Sequence, residues 1–301
     1  EKNNLIVNKS KALFGKISVP GDKSISHRSI ILGSITEGDL TISNFLNSDD
    51  CLNTISAMKQ LGVSILQDKK TITISGKGLS SLTKPKNIID VGNSGTLIRL
   101  LTGLLATQKF TSSLTGDSSL RSRPMERIIK PLNNCGANIV SDNFKAPLTI
   151  NPRTEFSSIE YVQKIASAQI KSCLILTALF IKGKHTFYEK IPTRDHTENL
   201  LEHFGCNVER SDQNFFISGQ QKLIANDIQI ASDISSAAFF IVAALICKGS
   251  EIVIPDVNIN KYRTGILNIL NQMKANINLK NIRIVSNEKV ADIEIKYSKL
   301  E

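Results

Sequence analysis

The sequence predicts an α/β protein assembled from repeated βαβαβ-type units, and three observations carry that prediction. Stretches with 3.6-residue apolar spacing (Asp50–Leu61, Thr197–Phe204) alternate with stretches of period two (TITIS at 71–75, SEIVI at 250–254). A phrase that closes a helix recurs four times, as MKQLGVSI, LNNCGANI, EHFGCNV and NQMKANI. Its markers Gly62, Gly136, Gly205 and Ala275 stand 74, 69 and 70 positions apart. A second set of landmarks agrees: Gly38, Lys109, Gly183 and Gly249 each follow an apolar run and precede the strand-like LTISNF, FTSSLTG, HTFYEKI and EIVIPDV.

Taken in order, each unit reads as strand, apolar helix, strand, second helix and strand. With 301 residues, the chain has room for about two domains at roughly 150 residues each. Its 41% hydrophobic and 21% charged residues exclude disordered and collagen-like classes. The longest apolar runs, Ala237–Cys247 and Leu174–Ile181, fall short of the ~20 residues that span a bilayer, so no membrane is expected. Five cysteines (Cys51, Cys135, Cys173, Cys206, Cys247) lie far apart with no CxxC pair, which suits a reducing compartment and a cytoplasmic location. A leader upstream of Glu1 stays compatible with the sequence. After Ala275 the fourth unit runs to Glu301 without a capping element and reads as part of an interrupted array.

The net charge of +10, from 37 Lys and Arg against 27 Asp and Glu, implies a negatively charged partner or substrate. Nucleic acid is disfavoured, because the lysines are scattered, aromatics make up 5% of the chain and Trp is absent. The starts of the first helices are more telling. They carry Pro20-Gly21-Asp22-Lys23-Ser24-Ile25-Ser26-His27-Arg28, Gly92-Asn93-Ser94-Gly95-Thr96 with Arg99, Ser167-Ala168-Gln169 with Lys171, and Asp233-Ile234-Ser235-Ser236. Free N–H groups and the positive helix pole converge at such termini, and Gly admits an anion to the backbone. Ordinary N-capping is the competing reading for each serine or aspartate. Three of the four carry added cations, which favours anion binding. Arg121-Ser122-Arg123-Pro124 and Arg194-Asp195-His196-Thr197-Glu198 add cations on proline-stiffened loops. A site gathering Lys23, Arg28, Arg123 and Arg194 could neutralise two multiply charged reactants brought together.

Other patterns are absent. GKGLSS at 76–81 lacks the GK[ST] of a P-loop, and there is no GxSxG, HExxH or GxGxxG. His196 and His203 stand seven apart without acidic or thiol partners at ligand spacing and read as packing or surface residues, so no metal is expected.

Six motifs in order cover the chain: VPGDKSISHRS (19–29), VGNSGTLIRLLTG (91–103), LTGDSSLRSRPMERI (114–128), KIASAQIKSCLIL (164–176), RDHTENLLEHFG (194–205) and DISSAAFFIVAAL (233–245). With them the sequence resembles the 5-enolpyruvylshikimate-3-phosphate synthase family, in wording similar to its bacterial class II. The resemblance implies an enolpyruvyl transferase-like inside-out α/β barrel in two three-repeat domains, with the active site in the cleft. It divides this chain into a complete three-repeat domain at 21–229 and a partial second domain, 1–20 plus 230–301, holding one repeat of three. It implies transfer of the enolpyruvyl group from phosphoenolpyruvate to the 5-hydroxyl of 3-phosphoshikimate with release of phosphate, without a metal or organic cofactor, in a protein monomeric when complete.

Carried over residue by residue, the resemblance places Lys23, Ser24 and Arg28 on 3-phosphoshikimate, with Lys23 also reaching phosphoenolpyruvate. Ser167, Ala168, Gln169 and Arg194 complete the shikimate site; Asn93, Gly95 and Arg123 bind phosphoenolpyruvate, with Gln169 shared. Lys23 alone is placed near the proton transfers, because the family's other acid/base residues belong to repeats beyond Glu301. The 301-residue chain is therefore expected to turn over negligibly by itself. Gly95, where tolerant relatives can carry Ala, implies glyphosate sensitivity. Two alternatives stand beside this reading. A UDP-N-acetylglucosamine enolpyruvyl transferase would carry a reactive Cys in the stretch Leu114–Met125, which has none. A non-catalytic anion- or nucleic-acid-binding fragment would show steep salt dependence.

Overall fold

The structure, a computed structural model, describes residues 11–68, 71–211 and 213–301. The N-terminal stretch read for a leader, and with it the first ten residues of the expected partial domain, lie outside the described residues. In chain order the elements are β1 (Phe14–Lys16), α1 (Lys23–Gly33), β2 (Glu37–Ser43), α2 (Asp49–Gln60), β3 (Ser64–Asp68), β4 (Thr71–Lys77); β5 (Ile89–Asp90), α3 (Gly95–Leu105), β6 (Ser112–Thr115), α4 (Ser118–Ser122), α5 (Glu126–Asn134), β7 (Asn138–Ser141), β8 (Leu148–Asn151); β9 (Glu160–Val162), α6 (Ala168–Ala178), β10 (Lys184–Tyr188), α7 (His196–His203), β11 (Val208–Ser211), β12 (Asn214–Ser218); and β13 (Ile228–Gln229), α8 (Ile234–Ile246), β14 (Glu251–Asn258), α9 (Gly265–Gln272), β15 (Asn276–Val285), β16 (Glu288–Lys296).

Each repeat is thus βαβαββ, one strand more than the βαβαβ expected, with the short α4 inserted before the second helix, α5, of the second repeat. The second helix is followed by a hairpin whose far strand returns to the middle of the sheet, giving the orders β5-β6-β8-β7 and β9-β10-β12-β11. The first strand of such a unit lies parallel to the next, as Ile89 on Leu114 does, and the others are antiparallel. The first and fourth repeats exchange that opening strand: β1 pairs with β14 and β13 with β2. Two compact units result, one over Lys23–Ile230 and one joining the stretch up to Asp22 with Ala231–Glu301.

All four second helices end alike. In α2 the Gly62 N–H donates to the Lys59 carbonyl and Val63 N–H to Met58, the crossed pair of a Schellman motif. Gly136, Gly205 and Lys274 repeat it, donating to Asn133, Glu202 and Asn271. The motif needs a left-handed residue, which explains φ of +88°, +115° and +82° at the three glycines. Lys274 at +58° holds that place in the fourth repeat, so the structural marker lies one residue before Ala275.

The Lys23–Ile230 unit is built inside out. Strand β4 alternates exposed and buried residues, whereas α1, α3 and α6 are buried over most of their circumference. Helices α3 and α6 cross at Gly103, where an added Cβ would stand 2.1 Å from the Cys173 carbonyl oxygen. The Thr177 hydroxyl donates to the Gly103 carbonyl at 2.9 Å across the same crossing. Only glycine permits this approach. The other unit packs α8 and α9 on one sheet around Ile241, Leu245, Ile254 and Ile293. No described helix is long and apolar enough to cross a membrane.

Candidate functional site

All ten predicted residues lie in the Lys23–Ile230 unit, at the N-terminal ends of α1, α3 and α6 and on the loops before α5 and α7. Capping explains part of each terminus. Ser94 Oγ accepts from Leu97 N–H at 3.2 Å and Ser167 Oγ from Ile170 N–H at 3.4 Å, so both hydroxyls serve their own helices. Ala168 is the buried first residue of α6.

The first cluster forms around Arg28, which is 4% exposed. Its Nε donates to Thr197 Oγ1 at 2.7 Å, Nη2 to Ser172 Oγ at 2.7 Å and Nη1 to the Ser24 carbonyl at 2.9 Å. The Ser172 and Thr197 hydroxyls are themselves 2.7 Å apart. Arg194 Nη1 reaches Ser24 Oγ at 3.4 Å. The rigid fork of a guanidinium lets Arg28 meet three oxygens at once, which fixes its place on α1. Lys23, at the first position of α1 and half exposed, is ion-paired with Asp50 of α2.

The second cluster forms around Gln169. Its Oε1 accepts from Arg99 Nη1 at 3.2 Å and its Nε2 donates to Thr96 Oγ1 at 2.9 Å, which fixes the amide orientation. Arg99 Nη1 also donates to the Gly95 carbonyl at 2.7 Å. Arg123 donates to the Asn93 Oδ1 and to Ser119 Oγ, while Asn93 Nδ2 donates to Asp117 Oδ2 at 2.6 Å. Burial, with Arg123 and Arg127 nearby, lowers the Arg99 guanidinium from its ordinary value. The Leu120 N–H, with help from Asn93, holds the Asp117 carboxyl low. Three guanidiniums whose fields oppose one another mark a place where an anion is favoured.

Lys171, read from sequence as a further cation at the anion site, does something else. It is fully buried, with Nζ 2.9 Å from Glu189 Oε2, 2.7 Å from Glu198 Oε1 and 3.3 Å from the Thr193 carbonyl. Burial alone would lower its pKa, but the two carboxylates outweigh burial and raise it. At Glu198, burial wins over Lys171 and raises the carboxyl. One ammonium cannot fully offset two buried carboxylates. This knot ties the end of β10 to the first turn of α7 and so braces the loop that carries Arg194. The fourth terminus differs again: Asp233 caps Ser235 N–H and pairs with Arg263 at 2.9 Å, which also meets Asp22 at 2.9 Å.

Sequence reasoning named the anchors but missed their holders. Ser172, Thr197, Thr96 and Asp117 all fall inside motifs quoted above, yet nothing in their spacing says that Arg28 meets residues 144 and 169 positions away. His196 is buried at the start of α7, and His203 Nε2 lies 3.0 Å from the Asp227 carbonyl.

The family profile of EPSP synthase (3-phosphoshikimate 1-carboxyvinyltransferase) matches residues 7–301. A protein named 3-phosphoshikimate 1-carboxyvinyltransferase from Ruthia magnifica is 47% identical over 296 residues, covering 98% of this chain and 68% of the relative. One of the same name from Geobacter metallireducens is 46% identical over 297 residues, covering 98% and 69%. Among solved structures, the EPSP synthase of Acinetobacter baumannii superposes with a TM-score of 0.92 at 45% identity, covering 98% of this chain and 67% of that one. The chain thus spans about two thirds of the length of these relatives.

Proposed function

Because the chain belongs to the EPSP synthase family, we propose that its two arginine clusters hold the two substrates of enolpyruvyl transfer in the roles the motifs imply. The family's reaction joins phosphoenolpyruvate to the 5-hydroxyl of 3-phosphoshikimate and releases phosphate. In this reading Lys23, Ser24, Arg28, Ser167, Ala168, Gln169 and Arg194 take 3-phosphoshikimate. Asn93, Gly95 and Arg123 take phosphoenolpyruvate, with Lys23 and Gln169 serving both. The observation that carries the reading is the direct bonding of three helix starts: Arg28 of α1 to Ser172 of α6, and Arg99 of α3 to Gln169 of α6. Positive poles and guanidiniums fixed beforehand lower the electrostatic cost of bringing two phosphates together without reorganisation during reaction.

Calorimetric titration of the chain with 3-phosphoshikimate tests this. Arg28→Ala should weaken binding at least a hundredfold, and unchanged affinity would sink the assignment. We further propose that 21–229 acts as one domain, that Lys23 takes part in proton transfer, and that the 301-residue chain alone turns over negligibly. General acid–base groups are each worth about 10²–10⁴ in rate. Phosphate release measured with and without a polypeptide supplying the relatives' remaining third decides the last point; full turnover by the chain alone refutes it. A cytoplasmic location fits the free thiols at all five cysteines. Glyphosate should inhibit the full-length enzyme, because an alanine at 95 is the change that would crowd this position. Its Cβ would stand 2.9 Å from nitrogens of both Arg99 and Arg123.

A further inference from the structure

A cavity of about 590 Å³ in the Lys23–Ile230 unit is lined by none of the ten residues assigned to substrate. That volume suits a small organic ligand. One wall is a single face of α5, with Arg127, Lys130, Pro131 and Asn134 recurring at helical spacing. Strand β9 and the loop after it, through Tyr161, Val162, Lys164 and Ile165, form the other. The floor is Ile170 and Leu174, one turn apart on α6.

The lining decides the chemistry of an occupant. Its floor is apolar, and Val162 and Ile165 add apolar surface to one wall, which disfavours a bare phosphate. At the rim Lys130 is bound to Glu126 of its own helix and sits 5.2 Å over the Phe144 ring, so that pair adds no net charge. Arg127 and Lys164 remain against Glu160, an excess of one positive charge. Among the described residues neither Arg127 nor Lys164 makes an ion pair. We propose that this cavity is a second ligand site, built for a flat monocarboxylate of one or two apolar rings that lies on Ile170 and Leu174 with its carboxylate toward Arg127 and Lys164. The smaller neighbouring pocket, lined by Arg99, Ser167 and Gln169, shares Arg127 and Ile170 with it and is otherwise separately lined, so the two sites adjoin without coinciding.

Saturable binding of 2-naphthoate to the 301-residue chain, followed by calorimetry and ligand-observed NMR, tests the site. Arg127→Glu, Lys164→Glu and Ile165→Asp each alter an exposed side chain and should weaken binding at least tenfold. Lys222→Glu, at a cation paired elsewhere with Glu37, should leave it within twofold. The neutral 2-naphthamide should bind at least tenfold more weakly. Saturating 3-phosphoshikimate should leave the naphthoate affinity within threefold. Absence of saturable binding, equal affinity in the three lining variants, equal affinity for the amide, or displacement by 3-phosphoshikimate each overturns the proposal. Failure of 3-phosphoshikimate to bind at all would instead count against the proposed function and leave the naphthoate titration readable.

Discussion

Helices α6 and α8 hold the same place in their repeats, and α8 is the more apolar of the two, yet α8 is the less buried. In α6 ten of eleven residues are buried; in α8 five of thirteen are, with Phe239 79% and Ile246 63% exposed. Three repeats in the Lys23–Ile230 unit cover one another's first helices, whereas a single sheet covers only one side of α8. An all-round apolar helix is therefore a statement about how many neighbours it is built to meet. The termini differ in the same sense: α6 carries a serine cap beside arginines, and α8 an aspartate cap neutralised by Arg263.

The contrast can be broken most forcefully at the fourth helical position of α6. Lys171→Met leaves Glu189 and Glu198 buried without their cation and should cost about 3–5 kcal/mol in urea denaturation, partly restored by adding Glu198→Gln. The corresponding position of α8 is Ala237, with no charge to lose. Next comes the α3–α6 crossing, where Gly103→Ala must push the helices apart and should cost about 1–3 kcal/mol. Lys274→Gly tests the other unit: relieving a left-handed lysine should stabilise the chain by about 1 kcal/mol, a gain unavailable at Gly62, Gly136 and Gly205.

A pH response separates the units as well. His185 is fully buried in β10, its Nδ1 accepting from Ile159 N–H at 3.0 Å and its Nε2 lying 2.9 Å from the Ile181 carbonyl, so it is held neutral. Burial lowers its pKa. The unfolded state then binds the extra proton first: stability is full above the ordinary histidine value of about 6.5 and falls as the pH drops below it. His185→Phe should flatten that slope in denaturation curves taken from pH 7.5 to 5. Strand β14 has no histidine. The smallest effect is expected at the open face of α8, where Phe239→Ser should change the stability of this chain by no more than about 0.5 kcal/mol. A larger loss would mean that α8 is covered.

The repeat was legible because a Schellman turn needs a left-handed residue, and Gly62, Gly136 and Gly205 display that need. Lys274 does not advertise it, which is why Ala275 stood in its place. The extra hairpin strand escaped notice because short strands such as Val208–Ser211 carry too few residues to show period two. The gathering of cations at the helix starts was legible from Lys23, Arg28 and Arg99. The fate of Lys171 was not, since a buried ion pair and a ligand-binding cation are the same letter.

Local chemistry written along the chain determined the helices, their caps, the period and the residue types gathered at each start, because these depend on neighbours within a few positions. Tertiary structure alone decided that β1 and β13 trade sheets, that Lys171 faces two glutamates, and that Arg28 is clasped by Ser172 and Thr197. Those contacts join segments separated by scores of residues, and only the closing of three repeats on one another brings them within bonding distance.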